Sequence, residues 1–234
     1  ARSRASRHRG RNGRRHCGMN SPKPVLMLEE FPDRLRDSMV LVAGAVLVGA
    51  ATGFLGVAFL KLLELGNAWR VDLTAILKTW PTGSGLLVVV IGTGLCTTFA
   101  AWLVTRFAPN AAGSGIPYVE KILRGPENPN RAWVLPVKIF GGFLALSSGL
   151  VLGREGPLVQ MGAVIGEKIG RLFKNIEGAW KPLIAAGAGA GVATAFNAPV
   201  GGTLFILEEV LRKVTPIGFV LAAAAAVSSA IVQR

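Results

Sequence analysis

The stretch VLPVKIFGGFLALSSGLVLGREGPLVQMG, Val134 to Gly162, decides how this chain is read. Ile139 to Gly153 is 15 residues without a charge, Arg154 and Glu155 follow, and Gly156 to Gly166 is 11 more uncharged residues. A helix that crosses a bilayer needs about 20 apolar residues. Neither piece is that long, yet both are too apolar for a water-facing surface. The pattern predicts short helices broken inside a membrane. Irregular backbone survives there only when buried in protein or beside water, and interrupted segments of this kind point to a binding site at membrane depth.

The flanking sequence supplies whole spans. Met39 to Leu60 is 22 residues without a charge, Thr79 to Thr105 is 27, Pro182 to Leu207 is 26 and Val214 to Gln233 is 20. The first, second and last each predict one span, with Pro81 at the start of the second, where a missing N–H costs little. The 182–207 stretch is interrupted by Asn197, Pro199 and Gly201-Gly202. The predicted class is therefore an all-α, polytopic integral membrane protein with broken, half-spanning helices.

Composition agrees. Of 234 residues 51% are hydrophobic and 17% charged, and mean hydropathy is +0.48. Soluble domains carry roughly 25% charged residues. The net charge of +13 would suit a nucleic-acid binder, but seven arginines and no acid lie in residues 1–16, leaving +6 for residues 17–234. Residues 1–38 read as a basic, disordered or cytosolic tail, and residues 39–234 as the transmembrane domain. Such a tail is held more simply by anionic lipid than by nucleic acid. The remainder suits cytoplasmic loops, where lysine and arginine set orientation. The chain begins with Ala, and Met19 offers an alternative translation start that would leave the tail as upstream sequence. Cys17 and Cys96 stand far apart, and both histidines, His8 and His16, lie in the tail. The expectation is no disulfide framework, no metal site, no cofactor and no enzymatic triad.

Three loops framed by glycine and proline carry the chemistry: Gly113-Ser114-Gly115-Ile116-Pro117, Gly153-Arg154-Glu155-Gly156-Pro157 and Phe196-Asn197-Ala198-Pro199. Each places a turn and then a proline suited to the first turn of a helix. Helix N-termini present free N–H groups and partial positive charge. Several of them converging in a low-dielectric interior make an anion site without a fixed cation. Ser114 would add a hydroxyl donor.

Glu155 is the sharpest single residue. A charge at the bilayer centre costs about 2.5–3.5 kcal/mol on insertion scales, so such a residue is a functional candidate by default. It could instead be a structural ion pair with Arg154 or Lys138. A carboxylate at a helix N-terminus also mimics an anion, and burial and the helix end pull its protonation in opposite directions. Glu208 and Glu209 end another apolar run before Arg212 and Lys213, and adjacent helical residues point about 100° apart. One of them is expected to face the interior, with Glu120 a polar neighbour, and helical geometry does not choose between the two.

Small residues recur at helical spacing: Gly49 and Gly53, then Gly162, Gly166 and Gly170, then Gly187 and Gly191. They predict close helix packing. Gly187-Ala-Gly189-Ala-Gly191 imitates a dinucleotide fingerprint, but no β-branched run precedes it, as that motif requires.

At these loops the sequence resembles the CLC family of chloride channels and proton-coupled chloride transporters. RFAPNAAGSGIP (Arg106 to Pro117) is similar to the family's first anion-site motif. The stretch from Val134 to Gly162 is similar to the second, with Glu155 at the position of the external gating glutamate. AGAGAGVATAFNAPVGGTLFILEEV (Ala186 to Val210) resembles the region leading to the internal proton glutamate. The resemblance implies an inverted-repeat fold of which this chain supplies the first half. Ser114, Gly115, Ile116 and Pro117, with Gly153, Arg154, Glu155 and Gly156, would bind the anion. Glu155, Glu209 and Glu120 would transfer protons. A later Gly-x-Phe-x-Pro motif and a downstream coordinating tyrosine are not in this sequence, whose one tyrosine is Tyr118.

The expected function is chloride/proton antiport in a bacterial inner membrane. Chloride, protons, lipid, a second copy in a homodimer and a second half completing the anion site would be its partners. The alternatives are a passive gated chloride channel, in which Glu155 only gates, and a half-protein that conducts nothing.

Overall fold

A computed structural model describes residues 35–81, 83–124, 133–173, 176, 178–212 and 215–234. The basic tail lies outside the described residues, apart from residues 35–38, which open the first helix. Every regular element among the described residues is helical.

The first helix, α1 (Leu35–Leu77), runs 43 residues, about 64 Å at 1.5 Å per residue. The expected span stopped at Leu60. The helix continues through Lys61, Glu64, Arg70 and Asp72 because nothing breaks it. No proline lies between Leu60 and Leu77, and Leu, Lys, Glu and Arg are good helix formers. Arg70 Nη2 also donates to Asn67 Oδ1 at 2.6 Å.

The second helix, α2 (Ser84–Phe107), matches the second uncharged stretch. Pro81 lies ahead of it rather than in its first turn. It sits in a turn closed by the Ser84 N–H donating to the Pro81 carbonyl at 3.2 Å, and Gly83 enters the helix at φ 92°. Leu86, Val90, Ile91 and Phe99 stand exposed along α2, a face suited to lipid.

The interrupted region forms α3 (Ile116–Arg124), α4 (Val134–Ser147), α5 (Glu155–Leu172), α6 (Trp180–Phe196) and α7 (Pro199–Phe205). A π-helical turn (Ile206–Leu211) continues α7, and α8 (Pro216–Gln233) ends the chain. Thr215 Oγ1 caps α8 by accepting from the Gly218 N–H at 3.2 Å. The helix α4 has 14 residues, about 21 Å, too short to cross a core about 30 Å thick. By contrast, α5 outruns the 11-residue segment expected from charge. It carries on past Gly166 because Glu167, buried in the protein, pairs with Arg171 one turn on at 3.0 Å. Among the described residues, three helices are long and apolar enough to cross a membrane: α1 from Asp37, α2 and α8.

The core is built around α6, in which every residue from Pro182 to Ala195 is buried. The glycine repeats are its seams. Gly162 of α5 and Gly187 of α6 each lie against the other's carbonyl, Gly166 lies against the Leu183 carbonyl, and Gly191 against that of Leu158. On the far side, Gly49 and Gly53 of α1 meet Ala225 and Ser229 of α8. The expected small-residue packing is therefore present at each repeat. The Gly187–Gly191 run is the middle of a buried helix, not a phosphate-binding turn.

Candidate functional site

Two of the three loops meet. The first leaves a single 3₁₀ turn (Pro109–Ala111), passes Gly113 at φ 71° and Gly115 at φ 81°, and enters α3 at Ile116. Both glycines hold a left-handed conformation that side chains resist. The second loop enters α5 at Glu155. They touch where Gly156 sits beneath Ser114. A Cβ there would come within 2.8 Å of the Ser114 carbonyl and 3.0 Å of its Cα. The N-termini of α3 and α5 are therefore neighbours, as an anion site built from helix ends requires. Ser114 is exposed, and no hydrogen bond engages its hydroxyl among the described residues.

Glu155 is half-buried in the first turn of α5. Its carboxylate folds back into the space above Gly153 and fills the place that a Gly153 side chain would take. A negative group at a helix N-terminus is stabilised by the partial positive charge there.

Neither alternative partner claims Glu155. Arg154 is exposed, and among the described residues no ion pair joins it to Glu155. Lys138, 5% exposed on α4, turns instead to the first loop. Its Nζ donates to the Ala111 carbonyl at 2.9 Å and the Gly113 carbonyl at 2.6 Å. The expectation of a site without a fixed cation is thereby corrected, because an ammonium group lies directly behind the Ser114 loop. Sequence reading had Lys138 only as a partner for Glu155. Its true acceptors are carbonyls, which leave no mark in the side-chain pattern.

The third loop does not join the other two through any hydrogen bond or ion pair among the described residues. Asn197 ends α6 at φ 51°, and Pro199 opens α7 at its first position, as the turn-then-proline pattern predicts. Phe196 and Asn197 are exposed.

The second acidic group forms where α3 faces the π-helical turn. Arg212, at φ 52°, ends that turn. Its Nη2 donates to Glu120 Oε1 at 3.2 Å, and its Nε donates to the Glu209 carbonyl at 3.3 Å. One guanidinium thus ties Glu120 to Glu209, residues remote in sequence. Glu208 and Glu209 are both exposed, so neither faces the interior of this chain as expected. The buried residues of that turn are Ile206 and Leu207 before the pair and Val210 and Leu211 after it. Glu167 is a further buried acid that sequence reading missed, since it served there only to end an uncharged run.

Residues 95–234 match the family described as "Voltage gated chloride channel". The chain belongs to that family. The match takes in every site residue named above, from Ser114 to Arg212. The chain is 40% identical over 195 residues to the "H(+)/Cl(-) exchange transporter ClcA" of Vibrio cholerae serotype O1, covering 80% of this chain and 40% of the relative. It is 42% identical over 185 residues to the protein of the same name from Cronobacter sakazakii, covering 78% and 39%. A solved structure described as "X-ray crystal structure of a slow cyanobacterial Cl-/H+ antiporter" aligns at TM-score 0.75 and 38% identity, over 83% of this chain and 46% of that one. A "eukaryotic CLC transporter" shares the fold at TM-score 0.69 and 24% identity, over 82% and 37%. The chain thus spans 40% of the length of the first of these exchange transporters. Its helical, membrane-spanning architecture with broken helices is that of the CLC fold, in part.

Proposed function

We propose that this chain is the first half of a chloride/proton antiporter. The observation that carries the reading is the Glu155 carboxylate lying over Gly153 at the head of α5, with the Ser114 loop packed on Gly156 beside it. A carboxylate parked at two converging helix ends occupies ground that an anion would take.

In this reading chloride is held by the Ser114 hydroxyl and by backbone groups of Gly115, Ile116 and Pro117 on one side. Gly153, Arg154 and Gly156 flank it on the other. Glu155 competes with chloride while ionised and yields when it takes a proton, which makes it both gate and outer proton acceptor. Glu209 is the inner proton acceptor. Glu120 supports it from nearby, its carboxylate held by Arg212, which also donates to the Glu209 main-chain carbonyl. The relatives named as exchange transporters favour antiport over a channel.

The face around the site supports a need for a second half. Val151 is 103% exposed and Leu152 57%, and Arg154 and Ser114 are exposed too. Lipid would not solvate that mixture of charged and polar groups. We assign the remaining anion ligands to the second half, propose a homodimer, and place the protein in a bacterial inner membrane, as its bacterial relatives suggest. Residues 1–38 stay a cytosolic basic tail in this proposal, and 39–234 the transmembrane domain.

The test is simultaneous chloride and proton flux from proteoliposomes holding the complete protein. Antiport predicts that a chloride gradient drives protons uphill. Glu209→Ala is expected to cut proton movement at least about tenfold while chloride still flows, because removing one relay group leaves the anion path untouched. Chloride flux with no proton movement in the wild type would make the protein a channel.

A further inference from the structure

Gln160 is fully buried on α5, 0% exposed, and the chloride reading gives it no part. Its Nε2 donates to the Asn110 carbonyl at 2.6 Å, across 50 residues of chain. Lys138 holds the carbonyls of Ala111 and Gly113 from α4. Two side chains on two helices therefore draw three carbonyls of one short loop inward. The Gly113–Ser114 peptide is trans and planar, so its N–H points opposite to its carbonyl. Anchoring the Gly113 carbonyl on Lys138 thus turns the Ser114 N–H away from Lys138.

Gln160 is also the floor under the loop. A Cβ on Gly115 would stand 2.6 Å from the Gln160 Cβ and 3.1 Å from its Oε1. Among the described residues that Oε1 accepts no hydrogen bond, so the donor arm alone orients the amide. The reverse orientation would set two carbonyl-type oxygens against each other.

We propose that Gln160 is a positioning residue. With Lys138 it fixes the height of the Ser114 loop above the head of α5, and so sets the preference for a small spherical anion over a larger planar one. The inference rests on the chloride reading. The loop can close around chloride only if its carbonyls stay turned inward, and Asn110 is the point where α5 itself holds them.

The measurement is chloride and nitrate binding by isothermal titration calorimetry on the complete purified protein, with its melting temperature. Gln160→Met keeps the length of the side chain and removes the donor, leaving a carbonyl without its partner. It is expected to weaken chloride binding about tenfold, equivalent to about 1.4 kcal/mol, with nitrate weakened less, so that the chloride-to-nitrate ratio falls. In a Ser114→Ala background the same change is expected to cost less, because the hydroxyl being placed is gone. A lower melting temperature with an unchanged ratio would mean a purely structural role and would overturn the proposal, as would strict additivity with Ser114→Ala. If the Met variant does not fold, Gln160→Leu, which also offers no donor, replaces it under the same expectation. A wild type that binds neither anion defeats the chloride reading itself. A wild type that binds chloride beside unaltered variants defeats only the role of Gln160.

Discussion

Glu155→Ala is expected to abolish proton movement and leave a chloride path that no longer closes. The carboxylate lies over Gly153 at the N-terminus of α5. A negative group at such an end gains about 0.3–2 kcal/mol, and an anion displacing it must first overcome that amount. Removing the carboxylate should therefore tighten apparent chloride binding by about two- to thirtyfold, at 1.4 kcal/mol per tenfold. Glu155→Gln, which copies the neutral form, should bind chloride like the Ala variant and likewise carry no protons. Flux and calorimetry on the complete protein check both variants. Intact proton coupling in Glu155→Ala would remove this residue from the mechanism. Chloride binding unchanged in either variant would show that the carboxylate does not compete for the site.

Gly187→Val is expected to cause the largest loss of stability. Gly187 and Gly162 each face the other's carbonyl, and Val48 of α1 lies on the same side of Gly187, with its Cγ1 3.0 Å from a Cβ built there. The first obstacle is backbone, which cannot swing aside as a flexible side chain can. Overpacking a tight core costs about 1–3 kcal/mol and occasionally more, and a β-branched residue against a main-chain oxygen belongs at the top of that range. The damage should reach function, since α5 carries Glu155 at its head and shifting the α5–α6 seam displaces it. Thermal unfolding in detergent and the monodisperse fraction on size exclusion measure the loss. Gly92→Ala on α2 is the control. Nothing lies within 4 Å of a Cβ there, so it should be neutral or gain up to about 1 kcal/mol from helix propensity. Equal behaviour of the two variants would contradict the seam.

Both predictions stand on features that the chain states locally. Uncharged runs marked α2 and α8, since a bilayer selects for length and apolarity alone. Proline after a glycine-rich or Asn-containing turn marked the starts of α3, α5 and α7. Glycines four apart marked the α5–α6 and α1–α8 seams, because a helix repeats its face at that spacing. Charge was the poorer guide to where a helix stops. Lys61 and Glu167 ended uncharged runs and ended no helix, since a charge inside a helix can be paired, as Glu167 is with Arg171, or can face away from apolar surroundings.

By itself, then, the sequence determined an all-helical membrane architecture, the broken middle, and the two loops whose helix ends bear Ser114 and Glu155. Those depend on spacing along one strand of chain. Only the tertiary structure decided that Lys138 grips the Ala111 and Gly113 carbonyls rather than Glu155, that Gln160 holds Asn110, and that Arg212 binds Glu120 and Glu209 together. Apart from the local bond to the Glu209 carbonyl, each of these is a polar side chain reaching backbone or a carboxylate on another element. Such a bond is fixed by how the helices are set against one another, and neither periodicity nor charge pattern encodes which acceptor lies within about 3 Å.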